Sequence, residues 1–95
     1  VDGIAIVVHP TNPVRTLTRA QLRALFAGTV RSWREVGGAD APVVVVTREE
    51  GSGTRATFEE LALQGARLAP GALVTAYSGG LRKMVADDPR AVGYM

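Results

Sequence analysis

Residues 42–55 have the sequence PVVVVTREEGSGTR, and this stretch decides the fold. Its run of four valines predicts a buried strand over residues 42–47, because a parallel strand covered on both faces is apolar throughout. A glycine-rich turn follows at once. Residues 54–63 then have the apolar spacing of a helix, with Phe58 and Leu61 among its inward-facing side chains. A strand, a tight turn and a helix in this order make up the repeating unit of α/β proteins.

Shorter signals of the same kind lie on either side of this unit. A β-branched run at residues 4–8 predicts a first strand, and residues 73–76 and 91–95 predict two more. Thr18 and Gln21 have the spacing of a capping box, so we expect a helix to begin there. The predicted order β-α-(α)-β-α-β-α-β favours a single α/β domain with a mostly parallel sheet flanked by helices.

Composition excludes several classes of function. The 95 residues carry a net charge of +2, have no run of five like charges and include only five aromatic residues, which argues against a nucleic-acid-binding surface. The absence of cysteine excludes a disulfide framework, a thiolate metal site and a cysteine nucleophile. With a single histidine and no clustered carboxylates we expect no metal site and no cofactor. The apolar runs are too short to span a membrane.

The loop after the valine-rich strand is the predicted binding segment. It places the N-terminus of the next helix at the carboxyl edge of the sheet, where open α/β folds bind ligands. The first N–H groups of a helix have no partner inside it, and together with the helix dipole they favour an anion. The predicted ligand-binding residues are Arg48, Glu50, Gly51, Ser52, Gly53, Thr54 and Arg55.

Most of these residues have a simple role at an anion site. Gly51 and Gly53 let the backbone approach the ligand closely and take a positive φ where one is needed. Ser52 and Thr54 add hydroxyl donors to the exposed N–H groups. Arg48, just beyond the strand, can hold two oxygens of the ligand with its planar guanidinium.

Glu50 and Arg55 leave alternatives open. A carboxylate repels an anion unless it accepts a proton from it. Hydrogen phosphate carries such a proton at neutral pH and sulfate does not, so Glu50 is predicted to select phosphate over sulfate. Glu50 can instead orient Arg48 through an ion pair. Arg55 either supplies a second cationic group or points to solvent.

The loop also fits a plainer interpretation, in which residues 51–54 are only a tight turn with a hydroxyl cap. It is not a Walker A loop, because it lacks the Gly-Lys-Ser/Thr ending. It also lacks the dinucleotide fingerprint, since Ala56 stands where that motif has its third glycine.

Four stretches of the chain carry motifs of one known family. They are DGIAIVV followed by NPV within residues 2–14, LT, QL, FAG and WREVGG within residues 17–38, REEGSGTR followed by FE within residues 48–59, and VA, P and AVGY within residues 85–94. In this order they resemble the phosphate-specific substrate-binding proteins of bacterial ABC transporters, and the resemblance covers nearly the whole chain. Many family members have aspartate where this chain has Glu50.

The resemblance implies a type 2 periplasmic-binding-protein clamshell, with residues 1–95 forming one lobe from the middle of a two-lobed protein. It implies binding of inorganic phosphate for uptake, with no catalytic residue. The expected partners are the missing second lobe and an ABC permease. The protein itself is expected outside the cytoplasm, in the periplasm or as a lipoprotein on the cell surface. The residues that match the family's phosphate loop are Arg48, Glu50, Ser52, Gly53 and Thr54.

Other functions stay open on the sequence alone. The lobe can serve in a sensor or adhesion module, or it can bind another oxyanion such as molybdate or tungstate. A phosphoryl-handling enzyme is the third alternative, although no Mg²⁺ carboxylate cluster, nucleophile–base pair or Walker lysine is apparent. Because the chain begins and ends inside predicted strands, we expect it to be a fragment. A single lobe would bind phosphate weakly and can self-associate through its inter-lobe surface.

Overall fold

The computed structural model describes residues 4–95, which build a four-stranded sheet with helices on both faces. Residues 1–3, which include the start of the family motif DGIAIVV, lie outside the described residues. The strands are β1 (Ile6–Val8), β2 (Val44–Arg48), β3 (Leu73–Thr75) and β4 (Ala91–Tyr94). The helices are α1 (Arg19–Ala27), α2 (Gly53–Phe58) and α3 (Ser78–Asp87), with a 3₁₀ turn at Trp33–Val36 and a π-helical turn at Glu59–Leu63.

The sheet has the strand order β1-β4-β2-β3. Strand β2 lies at the centre and runs parallel to both β3 and β4, so the prediction of a mostly parallel sheet is confirmed. The exception is β1, an outer strand that runs antiparallel to β4 with Val7 opposite Gly93. The carboxyl ends of β2, β3 and β4 therefore meet at one edge of the sheet.

The start of α1 confirms the predicted capping box. The Thr18 hydroxyl oxygen accepts a hydrogen bond from the Gln21 N–H at 3.1 Å, and the Gln21 side chain accepts one from the Thr18 N–H at 2.9 Å. These two bonds satisfy backbone donors that the helix itself leaves unpaired. The helix ends at Gly28, whose φ of 84° lies in the left-handed region that favours glycine.

Each face of the sheet covers its own apolar cluster. On one face α1 and α2 bury a cluster that includes Phe26, Phe58 and Tyr94. On the other face α3 packs against Val46 of β2, which is completely buried. Strand β2 contributes side chains to both clusters, so both of its faces are covered. This burial explains why its valine run is continuous, as predicted from the sequence.

The helix predicted over residues 54–63 has the expected extent but changes geometry within it. Its second half, Glu59–Leu63, is a π-helical turn. A π turn is wider than an α turn, so it rotates the side chains that follow relative to the core. Leu61, predicted to face inward, is 37 % exposed, whereas Leu63 is 2 % exposed. The prediction for Leu61 is therefore wrong, and Leu63 packs into the core instead.

Gly93 allows α3 to lie close against β4. A Cβ atom at this position would lie 2.7 Å from Leu81 Cδ2 and 3.1 Å from Leu81 Cγ, and Leu81 has no exposed surface. We expect Gly93→Ala to lower the free energy of unfolding by about 1–3 kcal/mol through overpacking, as measured by urea denaturation. Gly71→Ala is the control, because no atom lies within 4 Å of its Cβ position and its φ is not positive. Equal losses at the two sites would contradict the packing argument.

Candidate anion-binding site

The candidate site lies where β2 ends and α2 begins. Arg48 is the last residue of β2, and its register partner on β3 is Thr75, so the following loop leaves the sheet at its carboxyl edge. Open α/β sheets bind ligands at this edge. An open depression of about 300 Å³ lies here, lined by Glu50, Gly51, Ser52, Gly53, Arg55, Ala56 and Glu59.

The backbone N–H groups of Gly53 and Thr54 are available to a ligand. Ser52 donates its N–H to the Glu49 carbonyl at 3.2 Å, and Arg55 donates its N–H to the Ser52 hydroxyl oxygen at 3.2 Å. Within residues 4–95, no hydrogen bond engages the N–H groups of Gly53 and Thr54. These are the first two donors of α2, where an anion is favoured.

The loop conformation depends on two small residues. Gly51 has a φ of 92°, a left-handed conformation that residues with a Cβ rarely adopt. Ser52 is 8 % exposed and caps α2 through its side chain. Gly53 has no positive φ, so its value to the site is the open space beside its backbone. Of the two glycines that were predicted to allow a positive φ, only Gly51 uses one.

Arg48 is held by its sequence neighbour. Its Nε lies 3.0 Å from Oε1 of Glu49, and its side chain is 15 % exposed. The pKa of the Glu49 carboxyl is lowered, first by a backbone hydrogen bond at Glu49 and then by the Arg48 guanidinium, so the carboxylate stays charged. Glu50, the other candidate partner for Arg48, is exposed and lines the depression. Neither Arg48 nor Thr54 is among the lining residues.

Arg55 folds back over the end of β2 and does not extend into solvent. Its Nη1 donates to the Arg48 carbonyl at 2.9 Å, and its Nε donates to Glu59 Oε2 at 3.0 Å. The second contact is an ion pair one helical turn apart, with the Arg55 side chain 19 % exposed. Arg55 therefore joins strand and helix, and it is one of the residues that line the depression.

Sequence reasoning missed the contribution of Tyr94 to this region. Tyr94 is completely buried. Its hydroxyl oxygen also lies 2.6 Å from Thr47 Oγ1 and accepts the Arg48 N–H at 3.2 Å. The sequence signal for this contact was Thr47, a polar residue directly after the valine run. A buried tyrosine hydroxyl usually has a hydrogen-bond partner, and Thr47 could supply one.

Other features of the described chain do not compete for this ligand chemistry. Residues 4–95 contain no group of three or more His, Cys, Asp or Glu side chains placed to hold a metal ion. Over the same range, no helix combines the length and apolar character needed to cross a membrane. A groove of about 670 Å³ lies at the amino ends of β2 and β3, but Val43–Val45 and Ala69–Leu73 make its lining mostly apolar.

The Ser52 cap holds the first turn of α2. We expect Ser52→Ala to lower the free energy of unfolding by about 1 kcal/mol, because the Arg55 N–H loses its acceptor. Ser78→Ala is the matched control, since Ser78 is an exposed serine at the start of α3, whose N-terminus has no side-chain cap. Thermal unfolding of both variants measures the difference. A Ser52→Ala protein as stable as the Ser78→Ala protein would show that the cap contributes nothing.

The chain resembles known proteins in both sequence and fold. The model of the PBP superfamily domain matches residues 1–95. Over 95 residues the chain is 39 % identical to the phosphate-binding protein PstS of Bacillus subtilis, covering 100 % of this chain and 31 % of that protein.

Two solved structures are similar to this fold. An ABC-type phosphate transport receptor from Vibrio cholerae has a TM-score of 0.93 and 41 % identity, covering 98 % of this chain and 40 % of that one. A phosphate ABC transporter substrate-binding protein from Clostridium perfringens, solved with bound phosphate, has a TM-score of 0.92 and 40 % identity over 98 % of this chain and 39 % of its own. The chain thus spans between 31 % and 40 % of the length of these relatives. Since the family match covers the sequence from Val1 to Met95, the chain belongs to the PBP superfamily.

Proposed function

We propose that this chain is one lobe of an extracytoplasmic substrate-binding protein that binds inorganic phosphate for an ABC permease. The observation that carries the proposal is the pair of available N–H groups, on Gly53 and Thr54, beside an open depression at the sheet edge. The resemblance to a relative that is solved with bound phosphate supports phosphate as the anion.

The loop offers phosphate several directed donors. The N–H groups of Gly53 and Thr54 lie at the positive end of α2, and the hydroxyls of Ser52 and Thr54 lie next to them. Arg48 engages Glu49 through Nε and one Nη, which leaves about three of the five N–H donors of its guanidinium for ligand oxygens. An anion with several oxygens can accept these hydrogen bonds at once.

In this proposal Glu50 selects phosphate over sulfate. It is exposed and lines the depression at the start of α2. Its carboxylate would therefore lie close to an anion bound there. Hydrogen phosphate can donate its proton to this carboxylate in a hydrogen bond. Sulfate has no proton at neutral pH and leaves the two negative charges unrelieved, so it is disfavoured.

The rest of the polypeptide completes the site. The chain corresponds to about 40 % of the length of its solved relatives, so we place it as a single lobe that faces a second lobe across the ligand. Closure of two lobes excludes water and strengthens each charged hydrogen bond. We propose binding without catalysis, because the relatives are named for binding and transport.

An amide NMR titration tests the ligand and the selecting group together. At matched ionic strength, we expect phosphate to shift the amide signals of residues 48–55, and sulfate to shift them much less. In the Glu50→Gln variant the signal shifts caused by phosphate and by sulfate should become more similar, because the charge that repels sulfate is gone. Equal shifts with both anions in the unmodified chain would reject the role of Glu50 and keep the anion loop. No shift at millimolar phosphate would contradict phosphate binding by this lobe.

Arg48 supplies a charged hydrogen-bond donor in this proposal. We expect Arg48→Met to weaken phosphate binding about 10- to 100-fold, the effect of losing a hydrogen bond to a charged group. Arg34→Met removes the same charge from an exposed residue of the 3₁₀ turn, outside the loop, and should leave the affinity within about twofold, as expected for a screened charge. Calorimetry measures both variants. An equal loss of phosphate affinity in the two variants would mean that Arg48 acts only through net charge.

A further inference from the structure

The Tyr94 hydroxyl occupies a position that a backbone acceptor would otherwise take. Strands β2 and β4 pair in register at Val44 with Ala91 and at Val45 with Val92. Farther along β2, the Arg48 N–H donates to the Tyr94 hydroxyl at 3.2 Å. The hydroxyl oxygen accepts this bond, and its own hydrogen can bond to Thr47 Oγ1 at 2.6 Å. The side chain of Tyr94 therefore extends the β2–β4 contact to the residue where the loop begins.

The ring of the same residue contacts the helix that follows the loop. It stacks on Phe58 with the ring centroids 4.0 Å apart and an angle of 2° between the ring planes. Phe58 is the last residue of α2 and contacts Phe26 edge-on at a centroid distance of 4.6 Å. Because α2 is a short rigid element that begins at Gly53, holding Phe58 also holds the N-terminus of the helix.

We infer that Tyr94 is a positioning residue for the anion site, an inference that rests on the proposed function for its ligand. Its hydroxyl holds the strand end that carries Arg48, and its ring holds the helix that carries Gly53 and Thr54. The two halves of the site are thus kept in register by one side chain, which has no exposed surface with which to contact a ligand. Arg55 makes a second link between the same elements through the Arg48 carbonyl.

Tyr94→Phe separates the hydroxyl from the ring. In the ligand-free protein we expect the Arg48 amide to exchange with solvent about tenfold faster relative to the Val46 amide, because its acceptor is gone. The amide signals of Gly53 and Thr54 should shift as well. The dissociation constant for phosphate should rise about three- to tenfold, the effect of one lost hydrogen bond in the supporting structure.

Trp33→Phe is the matched control. Trp33 is 2 % exposed, and its indole N–H donates to the Arg90 carbonyl at 2.8 Å, so this variant also loses one polar contact of a buried aromatic residue. We expect it to lower the melting temperature and leave the relative Arg48 exchange, the loop signals and the phosphate affinity unchanged.

Two outcomes would overturn the inference. One is a Tyr94→Phe protein with unchanged Arg48 exchange and loop signals. The other is a Trp33→Phe protein with the same changes as Tyr94→Phe, because the effect would then follow general stability. If the unmodified chain shows no phosphate binding, the proposed function fails, while the exchange and the loop signals still decide whether Tyr94 positions the loop.

Discussion

A buried phenol links the sheet to the helix that carries the candidate site. The Tyr94 hydroxyl bonds to Thr47 and Arg48 at the end of β2, and its ring stacks on Phe58 of α2. Removing one partner of a buried hydrogen bond costs more than the bond contributes, so this arrangement tolerates little displacement. The preceding residue, Gly93, leaves room for Leu81 of α3 on the opposite face. Two adjacent residues of β4 thus set the positions of both helical layers.

The charges around the loop show how such a site can attract an anion. Arg48 and Arg55 are both paired with carboxylates, and the loop region carries two arginines against Glu49, Glu50 and Glu59. Its formal charge is therefore negative. An anion would be held by directed N–H and hydroxyl donors, whose positions the fold defines, and not by an excess of positive charge. A site of this kind discriminates between anions by their protons and geometry, which is the basis of the proposed role of Glu50.

Most of the fold could be predicted because the relevant signals are local. The capping box of Thr18 and the valine-rich β2 depend on residues close in sequence, and the structure has both. The Ser52 cap belongs to the same class. The exposure of Leu61 could not be predicted, because the switch to a π turn inside one helix leaves no clear mark in the apolar spacing.

The sequence by itself determined the α/β order, the loop between β2 and α2, and the set of donors that the loop can offer. The tertiary structure alone decided which of these donors are available and what holds them. Whether Arg48 pairs with Glu49 or Glu50, and whether Arg55 turns back to a carbonyl, depends on side-chain directions that spacing along the chain does not specify. The contact between Thr47 and Tyr94 joins residues 47 positions apart, and such contacts exist only once the strands are side by side.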